Sequence, residues 1–387
     1  MSLRVFVVAG ETSGDFLAAR LLRALGRTHG PLTLEGVGGS DLQTLGLETL
    51  FPMEELSLMG IQEVLPHIPR LLRRIGQTAD AARTMAPDLV LTVDAPAFTL
   101  RVLRRLRGLD VPKVHYVAPQ AWAWRPGRAA RLAEIVDRLL LVLPFEPAFF
   151  DAYGAPGVYV GHPIVEQVPA LPTFTQRQRP GPSPVLCLLP GSREGEIRRH
   201  LPVLRGAVGR LAAMRPGLTC VLPTPPRRAA QVRALTEDWP TPLAIVAEPS
   251  ERFDAYARST IALAASGTVG LELALARLPT VILYRTSWLT AAVVRRLVRV
   301  PYASLVNLVA DRPVLPELLQ EGCTADGIAA AATTLLDGEA AWSAQVTALD
   351  DVAHVLGSGE VAPSERAAAA VAELLAEPCV ERTARPL

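Results

Sequence analysis

A short polar stretch near the middle of the chain has the residue types that hold a phosphate group. Gly191-Ser192-Arg193 follows an apolar run that predicts a buried strand, and apolar residues recur at helical spacing after Ile197. A glycine turn that opens a helix presents unpaired backbone N–H groups at the positive end of the helix dipole, where anions bind. The arginine fork adds two parallel hydrogen bonds. The alternative is an ordinary strand-to-helix turn with an exposed arginine.

Further polar residues follow predicted strands in both halves of the chain. Ser266-Gly267-Thr268 comes after an apolar run and opens another predicted helix, in which Glu272 is able to accept the two hydroxyls of a ribose. In the first half, Asp94 follows a predicted strand at residues 88–93, and sites are built at the carboxyl ends of parallel strands. A lone aspartate at that place is as often a helix cap as a catalyst.

Aromatic and apolar residues of the first half suit a less polar ligand. Trp122 and Trp124 stand beside Arg125, and they either line a cleft for sugar or acyl groups or finish a domain surface. Residues 51–75 are apolar, broken by prolines and rimmed by arginines, so this segment either packs inside the domain or forms a ledge that touches lipid.

Composition excludes several classes of function. A net charge of +1 argues against a general affinity for nucleic acid. Because Lys113 is the only lysine, a Walker A phosphate loop is excluded, as is a Schiff base at any other position. The four cysteines are scattered without metal-ligand spacing, which favours buried thiols in a reducing cytosol over disulfides or zinc.

The hydrophobic segments predict a cytoplasmic protein whose membrane contact is limited to its surface. The first apolar segment, residues 3–9, runs straight into polar residues, and no uninterrupted apolar run is long enough to span a bilayer. Residues 288–300 predict an amphipathic basic helix. Its arginines form either a solvated face or a peripheral contact with acidic lipid.

Strands and helices alternate along most of the 387 residues, which predicts an α/β protein of two Rossmann-like parallel-sheet domains facing each other across a cleft. We expect an acceptor-side domain at 1–167, a proline-rich linker at 168–184, a nucleotide-binding domain at 185–345, and C-terminal helices at 346–387 that pack back on the first domain. A nucleotide on one side and an acceptor on the other suit group transfer from an activated sugar.

Many short motifs, taken in one order, resemble the lipid-A-disaccharide synthase family of inverting glycosyltransferases with the GT-B fold. The resemblance covers nearly the whole chain, and it rests on Ala9-Gly10-Glu11-Thr12-Ser13-Gly14-Asp15, Gly36-Val37-Gly38-Gly39, Met59-Gly60, Asp94-Ala95-Pro96, His115-Tyr116-Val117, Trp122-Ala123-Trp124-Arg125, Gly161-His162-Pro163, Leu189-Pro190-Gly191-Ser192-Arg193, Ser266-Gly267-Thr268, Asn307 and Pro316-Glu317-Leu318-Leu319-Gln320.

The resemblance implies a reaction and a set of residue roles. UDP-2,3-diacylglucosamine would donate its sugar to 2,3-diacylglucosamine 1-phosphate, giving a β(1→6) disaccharide and UDP. Asp94 matches the family's base for the acceptor 6-hydroxyl, and Glu11 is the second candidate. By the same analogy, UDP is held by Gly191, Ser192, Arg193, Ser266, Gly267, Thr268, Glu272, Asn307 and Gln320, and the acceptor or lipid side includes Met59, Trp122, Trp124 and Arg125.

The resemblance further implies that the enzyme needs no cofactor or metal, because Arg193 and helix-start amides stabilise the leaving diphosphate. Its partners would be the two acylated sugars and the cytoplasmic face of the inner membrane, where it binds peripherally. A homodimer is left open.

The chain departs from the family pattern beside the expected base. The family's Asp-Ala-Pro-Asp-Phe-Asn is here Asp94-Ala95-Pro96-Ala97-Phe98-Thr99, which removes two polar neighbours and bears on acceptor recognition. The rival hypotheses are a relative of the same fold that acts on another UDP-N-acetylhexosamine, as a transferase or a 2-epimerase, and a protein that binds UDP-sugar or lipid without turnover.

Overall fold

The computed structural model describes residues 2–56, 68–168, 183–359 and 361–377. The chain divides into two compact units, Met1–Pro163 with Glu360–Leu387 and Ile164–Gly359. We call them unit 1 and unit 2. Most of the predicted proline-rich linker lies outside the described residues, as does the middle of the apolar segment 51–75.

Unit 1 contains a seven-stranded parallel sheet in the order β3-β2-β1-β4-β5-β6-β7. Its central strands are short apolar runs buried on both faces, as expected when helices cover both sides of a parallel sheet. Ala9 pairs with Val93, so β1 and β4 end level with each other at the carboxyl edge. The strands are β1 (Leu3–Ala9), β2 (Leu32–Val37), β3 (Glu48–Thr49), β4 (Leu89–Val93), β5 (Lys113–Tyr116), β6 (Arg138–Leu141) and β7 (Gly157–Tyr159).

Helices cover this sheet, and their apolar faces complete its core. Phe6 and Val8 of β1 pack with Phe98 and Val102 in one buried cluster. The helices are α1 (Thr12–His29), α2 (Ser40–Gln43), α3 (Ile68–Met85), α4 (Pro96–Arg105), α5 (Ala121–Trp124), α6 (Gly127–Ala133) and α7 (Glu146–Asp151), with a 3₁₀ turn at Met53–Leu56. Another 3₁₀ turn, Pro163–Glu166, lies where unit 1 passes into unit 2.

Unit 2 repeats the plan with a six-stranded parallel sheet in the order β10-β9-β8-β11-β12-β13. Leu189 of β8 pairs with Ala264 of β11, and Ala265 of β11 pairs with Leu283 of β12, so these three strands also end close together at one edge. The strands are β8 (Val185–Leu189), β9 (Thr219–Pro223), β10 (Leu243–Val246), β11 (Ile261–Ala265), β12 (Thr280–Tyr284) and β13 (Glu317–Leu319).

The helices of unit 2 lie on both faces of its sheet, in two buried clusters of apolar side chains. They are α8 (Glu194–Met214), α9 (Ala229–Leu235), α10 (Arg252–Arg258), α11 (Val269–Leu275), α12 (Trp288–Leu297), α13 (Leu305–Ala310), α14 (Ala325–Asp337) and α15 (Glu339–Val355), with 3₁₀ turns at Pro226–Arg228, Pro249–Glu251 and Gln320–Gly322.

The end of the chain differs from the predicted division at residue 345. That boundary falls inside α15, whose Leu349 and Val352 are buried in a core cluster of unit 2. The last helix, α16 (Pro363–Ala376), belongs to unit 1, where it packs on α1, and its Ala370 carbonyl accepts a hydrogen bond from Arg138. Sequence patterns of two alanine-rich helices do not distinguish their partners, whereas the buried faces do.

The predicted α/β class and the two Rossmann-like domains are confirmed by these sheets. Over the described ranges, no helix combines the length and the apolar character needed to cross a bilayer.

Candidate active site

Two carboxylates lie together at the carboxyl edge of the sheet in unit 1. Glu11 and Asp94 follow β1 and β4, which are neighbours in the sheet although they are far apart in the chain. The charge of Asp94 acts on Glu11 and contributes to its raised pKa. The fold therefore brings together the two residues that the sequence predicted as candidate bases.

The backbone around Asp94 is held in a conformation that non-glycine residues seldom adopt. Asp94 and Ala95 have φ values of 48° and 44°, in the left-handed region. Thr99 braces this turn, since its hydroxyl donates to the carbonyl oxygens of Asp94 at 2.7 Å and of Ala95 at 3.1 Å. Gly10 lets the turn approach β1, because a Cβ at position 10 would meet that of Ala95 at 2.5 Å. Strained backbone of this kind collects at functional sites.

Thr99 changes the interpretation of the departure from the family pattern. Its side chain is buried and fixes the turn that carries Asp94, so it has a supporting role, whereas Ala97 is exposed. Ala95, not Asp94, is the N-cap residue of α4, and no side chain caps that helix. The helix-cap alternative for Asp94 therefore finds no support in the geometry.

Partial burial raises the pKa of both carboxyl groups and so favours their protonated forms. Removal from water raises the pKa of Asp94, although a hydrogen bond from the backbone of Ala95 opposes the change. Burial also raises the pKa of Glu11, and the negative charge of Asp94 adds to the effect. A carboxylate with a raised pKa is a stronger base once ionised, which suits it to accept a proton from a hydroxyl group.

A buried glutamate that sequence reasoning did not select positions one of the predicted tryptophans. Glu146, the first residue of α7, accepts hydrogen bonds from the Trp122 indole N–H at 3.1 Å and from the amides of Val142 and Leu143 at 3.0 and 2.9 Å. Burial raises its pKa to about 7 against the opposing effect of these donors. The signal in the sequence was a glutamate in the segment Pro144-Phe145-Glu146 that follows the apolar residues 139–143.

The other predicted acceptor-side residues form a cation–π cluster. The guanidinium carbons of Arg125 and Arg128 lie 4.4 and 5.1 Å from the centroid of the Trp124 ring. Arg125 is exposed, so its charge remains available to an anionic ligand. Met59 lies outside the described residues.

In unit 2, the predicted phosphate turn follows β8 and opens α8. Gly191 has a φ of 111°, and Glu196 folds back over the turn so that its Oε2 accepts the amides of Ser192 and Arg193 at 3.2 and 3.3 Å. The Glu196 carboxylate thereby occupies two of the amides expected to hold phosphate. The amides of Glu194 and Gly195 come next in the first turn, where helix geometry provides no acceptor.

Arg193 itself points outward. Its side chain is 71% exposed, and its contact with Glu196 at 3.3 Å is an exposed ion pair of little energetic weight. The guanidinium is therefore free to turn toward an anion at small cost.

The second predicted turn lies beside the first in the sheet order. Ser266 follows β11 and donates its hydroxyl to the carbonyl of Ala303 at 2.8 Å, while Gly267 and Thr268 are exposed. Gln320 follows β13 with a φ of 49°, and its side-chain oxygen accepts the Thr286 amide at 3.3 Å. Loops from β8, β11, β12 and β13 thus meet at one edge of unit 2.

The side chain of Asn307 holds neighbouring backbone segments together, a role that the sequence did not indicate. It is completely buried, its amide nitrogen donates to Leu315 and Glu317, and its oxygen accepts the amides of Val314 and Leu315. Glu317 also accepts the amides of Ala303 and Ser304, both at 2.9 Å. The polar atoms of Asn307 are engaged within the protein, so direct contact with a nucleotide would require these bonds to break.

Glu272 is largely buried and already partly engaged. Its Oε2 accepts the hydroxyl of Tyr256 at 2.9 Å and lies 3.3 Å from Nε of Arg252. Burial raises the pKa of this carboxyl group, while Arg252 and Tyr256 oppose the change. Both contacts involve the same oxygen, so Oε1 remains for a ligand hydroxyl.

Among the described residues, no group of three histidine, cysteine or acidic side chains could hold a metal ion. Cys187, Cys220 and Cys323 are buried and unbridged.

Comparison with solved structures shows the GT-B fold. A UDP-GlcNAc 2-epimerase from Neisseria meningitidis, solved with UDP-GlcNAc bound, matches with a TM-score of 0.61 at 13% identity, covering 96% of this chain and 99% of that one. The MurG of Acinetobacter baumannii matches with a TM-score of 0.58 at 14% identity, covering 97% and 99%. At these identities the likeness concerns the fold.

Comparison of sequences shows the family as well as the fold. The chain is 46% identical to a lipid-A-disaccharide synthase of Rhodospirillum centenum over 96% of its own length and 95% of the relative's, and 40% identical to that of Gluconobacter oxydans over 98% and 92%. The family model described as lipid-A-disaccharide synthetase matches residues 5–371. The chain therefore belongs to the lipid-A-disaccharide synthase family, glycosyltransferases of lipid A biosynthesis.

Proposed function

We propose that this enzyme transfers 2,3-diacylglucosamine from its UDP derivative to O6 of 2,3-diacylglucosamine 1-phosphate, with inversion at the anomeric carbon. The observation that carries the proposal for this chain is the pair of partly buried carboxyl groups of Glu11 and Asp94 at the carboxyl edge of unit 1, with Asp94 on a strained turn. The products are a β(1→6) disaccharide and UDP.

On the acceptor side, Asp94 acts as the general base. Its carboxylate takes the proton of the acceptor 6-hydroxyl while that oxygen forms the bond to the anomeric carbon and the bond from that carbon to the diphosphate breaks. Glu11 keeps the environment anionic and is the second candidate for the base. Trp122, fixed by Glu146, and the Trp124–Arg125 cluster support a site for a sugar with a phosphate group.

On the donor side, the negative charge that develops on the diphosphate is stabilised without a metal. Arg193 turns toward the phosphates, and the free amides of the first turn of α8 donate to them. Gly267 and Thr268 present exposed backbone and hydroxyl donors beside it, and Glu272 accepts the ribose hydroxyls through Oε1.

Asn307 and Gln320 act on the nucleotide through the loops they hold. Asn307 fixes the segment around Glu317, which in turn fixes the backbone that accepts the Ser266 hydroxyl. Gln320 ties the end of β13 to Thr286.

The enzyme works peripherally at the cytoplasmic face of the inner membrane. Two features support this part of the proposal. On α12, Trp288 is 76% exposed and Leu297 45%, and residues 285–302 contain four arginines and no acidic residue. On α3, Ile68 and Leu72, which follow the undescribed part of the 51–75 segment, are also exposed. Apolar side chains beside arginines suit the boundary between acyl chains and anionic headgroups.

The test is a turnover assay with UDP-2,3-diacylglucosamine and the acylated sugar phosphate, in the presence of a chelator, with disaccharide and UDP both measured. We expect Asp94→Asn to lower kcat by roughly 10²-fold or more while UDP affinity stays at the wild-type value. Thr99→Ser, which keeps the bracing hydroxyl, serves as the matched control and should remain active.

Other outcomes would favour the rivals. Turnover of unacylated UDP-N-acetylglucosamine would favour the related transferase or epimerase, and UDP-sugar binding without any disaccharide would favour a binding protein. An Asp94→Asn enzyme with the wild-type rate would remove Asp94 from the role of base.

A further inference from the structure

A buried histidine connects two loops at the carboxyl edge of unit 2. His200 lies on α8 with no exposed surface. Its Nδ1 is 2.7 Å from the carbonyl oxygen of Pro190, and its Nε2 is 2.9 Å from the backbone nitrogen of Arg285. Pro190 immediately precedes the phosphate turn after β8, and Arg285 immediately follows β12.

The two partners determine where the proton of the imidazole lies. The amide of Arg285 can only donate, so Nε2 must be the unprotonated acceptor. The carbonyl of Pro190 can only accept, so Nδ1 must carry the hydrogen. One neutral tautomer satisfies both contacts, and a second proton on Nε2 would face the N–H of Arg285 and break that bond.

We propose that His200 is a positioning residue that clasps the phosphate turn to the loop after β12, and that the enzyme binds the diphosphate of UDP tightly only while this clasp is intact. The inference rests on the proposed donor site and deepens it. His200 touches no ligand in this scheme. It fixes the position of Pro190, and therefore of the turn at Gly191, relative to the backbone of Arg285.

The surroundings of His200 favour the neutral ring. Burial lowers its pKa, while the contacts with Pro190, Glu196 and Arg285 oppose the change and Arg199 adds to it. Tyr284 of β12 packs beside the ring, with centroids 5.6 Å apart. The charged or titratable groups that face the ring are therefore Glu196 and Arg199 from α8 and Tyr284 from β12, while Arg285 meets it through its backbone N–H.

The first experiment measures UDP affinity by calorimetry for the wild type, His200→Leu and His200→Gln at about pH 8 and about pH 5.5. The leucine variant keeps a buried apolar side chain and loses both contacts, so we expect UDP affinity at the higher pH to fall roughly tenfold, the effect of about one net hydrogen bond. The glutamine variant can still accept the Arg285 amide and should recover part of the affinity.

Affinity at the two pH values tests whether the clasp works with a neutral ring. Because burial lowers the pKa of His200, the ring should stay neutral at both pH values, so the advantage of the wild type over His200→Leu should persist at about pH 5.5. Titration of UDP itself contributes equally to all three proteins. His354→Gln, at an exposed histidine of α15 in the same unit, is the matched control and should retain wild-type affinity and pH dependence.

A second measurement reads the tautomer directly in the wild-type enzyme. Nitrogen-15 NMR of histidine-labelled protein should show a neutral histidine protonated on Nδ1 whose signal is absent from His200→Gln, which distinguishes it from His115 and His162, the other histidines whose pKa is lowered by burial. The inference is overturned if His200 carries its proton on Nε2, or if folded His200→Leu binds UDP with wild-type affinity. Failure of the wild type to bind UDP would instead overturn the proposed donor site.

Discussion

Asp94 combines two costs in one residue, a left-handed backbone and a carboxyl group removed from water. Neither cost serves stability, since a positive φ is unfavourable for a residue with a side chain and burial disfavours the ionised form. Catalytic sites commonly retain such energetic costs. Substitutions that remove the costs stabilise the protein but reduce its activity. The paired Glu11 adds a repulsive interaction when both groups are ionised.

We therefore predict that Asp94→Asn is more stable than the wild type at about pH 8, by about 0.5–2 kcal/mol. The folded state raises the pKa of Asp94, so the ionised carboxylate destabilises the fold above that pKa, and asparagine removes this penalty while tolerating a left-handed backbone. As the pH falls toward the ordinary value of about 3.9 the carboxyl group protonates, and the difference should shrink. Chemical denaturation at both pH values measures it.

Asp88→Asn, at the residue just before β4, is the control, and we expect it to change stability in the opposite direction. Asp88 accepts the backbone amide and the guanidinium of Arg4, so its replacement should destabilise the protein at neutral pH. An Asp94→Asn protein that is less stable than the wild type at about pH 8, or a difference that does not change with pH, would contradict the account of Asp94.

At the scale of elements, the start of α8 holds the turn that we propose as the phosphate site. Gly191 takes a positive φ that glycine adopts readily, and Glu196 caps the two amides that follow it. His200, one helical turn further on, holds the preceding carbonyl. Two residues of α8, Glu196 and His200, thus hold the short turn that contains Gly191.

Gly191→Ala should disrupt this turn. A Cβ at position 191 would meet Oε2 of Glu196 at 2.5 Å and its Cβ at 2.7 Å, so the capping carboxylate must move and the backbone is strained as well. We expect a loss of stability of roughly 1–3 kcal/mol and weaker UDP binding, measured by thermal unfolding and calorimetry.

Gly209→Ala, further along α8, is the matched control. A Cβ there meets nothing within 4 Å, so the substitution should raise stability by roughly 0.5–1 kcal/mol through helix propensity and leave UDP binding unchanged. Wild-type binding by Gly191→Ala would show that the turn does not need its left-handed glycine.

At the scale of the whole molecule, the chain forms two units, and unit 1 is made from both the first and the last part of the chain. The last helix, α16, returns to unit 1, where Arg138 donates to the Ala370 carbonyl at 2.8 Å and to Glu377 at 2.6 Å. Because Arg138 is almost completely buried, these contacts satisfy a charge that would otherwise be costly. The end of the chain is thus part of the domain that carries the two carboxylates.

The whole enzyme should bind anionic vesicles through α12. Each arginine near an anionic surface contributes roughly 1 kcal/mol, so Arg296→Gln with Arg299→Gln should weaken binding by about fivefold per residue. Co-sedimentation with phosphatidylglycerol vesicles measures this, and phosphatidylcholine vesicles should bind all variants weakly. Trp288→Ser should weaken binding to both.

Arg205→Gln with Arg233→Gln removes the same charge from exposed positions on α8 and α9. This control should keep wild-type vesicle binding. Equal losses in the two double variants would show that net charge, and not the face of α12, governs the association.

The sequence by itself determined the features whose signals are local. Apolar runs followed by glycine turns and helical periodicity were enough to predict the parallel α/β units and the turns at Gly191, Ser266 and Asp94, because a strand, its turn and the next helix are encoded by adjacent residues. Family motifs were enough to predict the reaction class.

Tertiary structure decided which distant residues share a site and which of them face inward. The pairing of β1 with β4 brings Glu11 to Asp94, and burial gives Asn307 a supporting geometry that its motif did not reveal. Glu146, His200 and the packing of α15 in the core of unit 2 were missed for the same reason. Strand order and burial depend on the packing of the whole sheet, and no window of neighbouring residues carries that information.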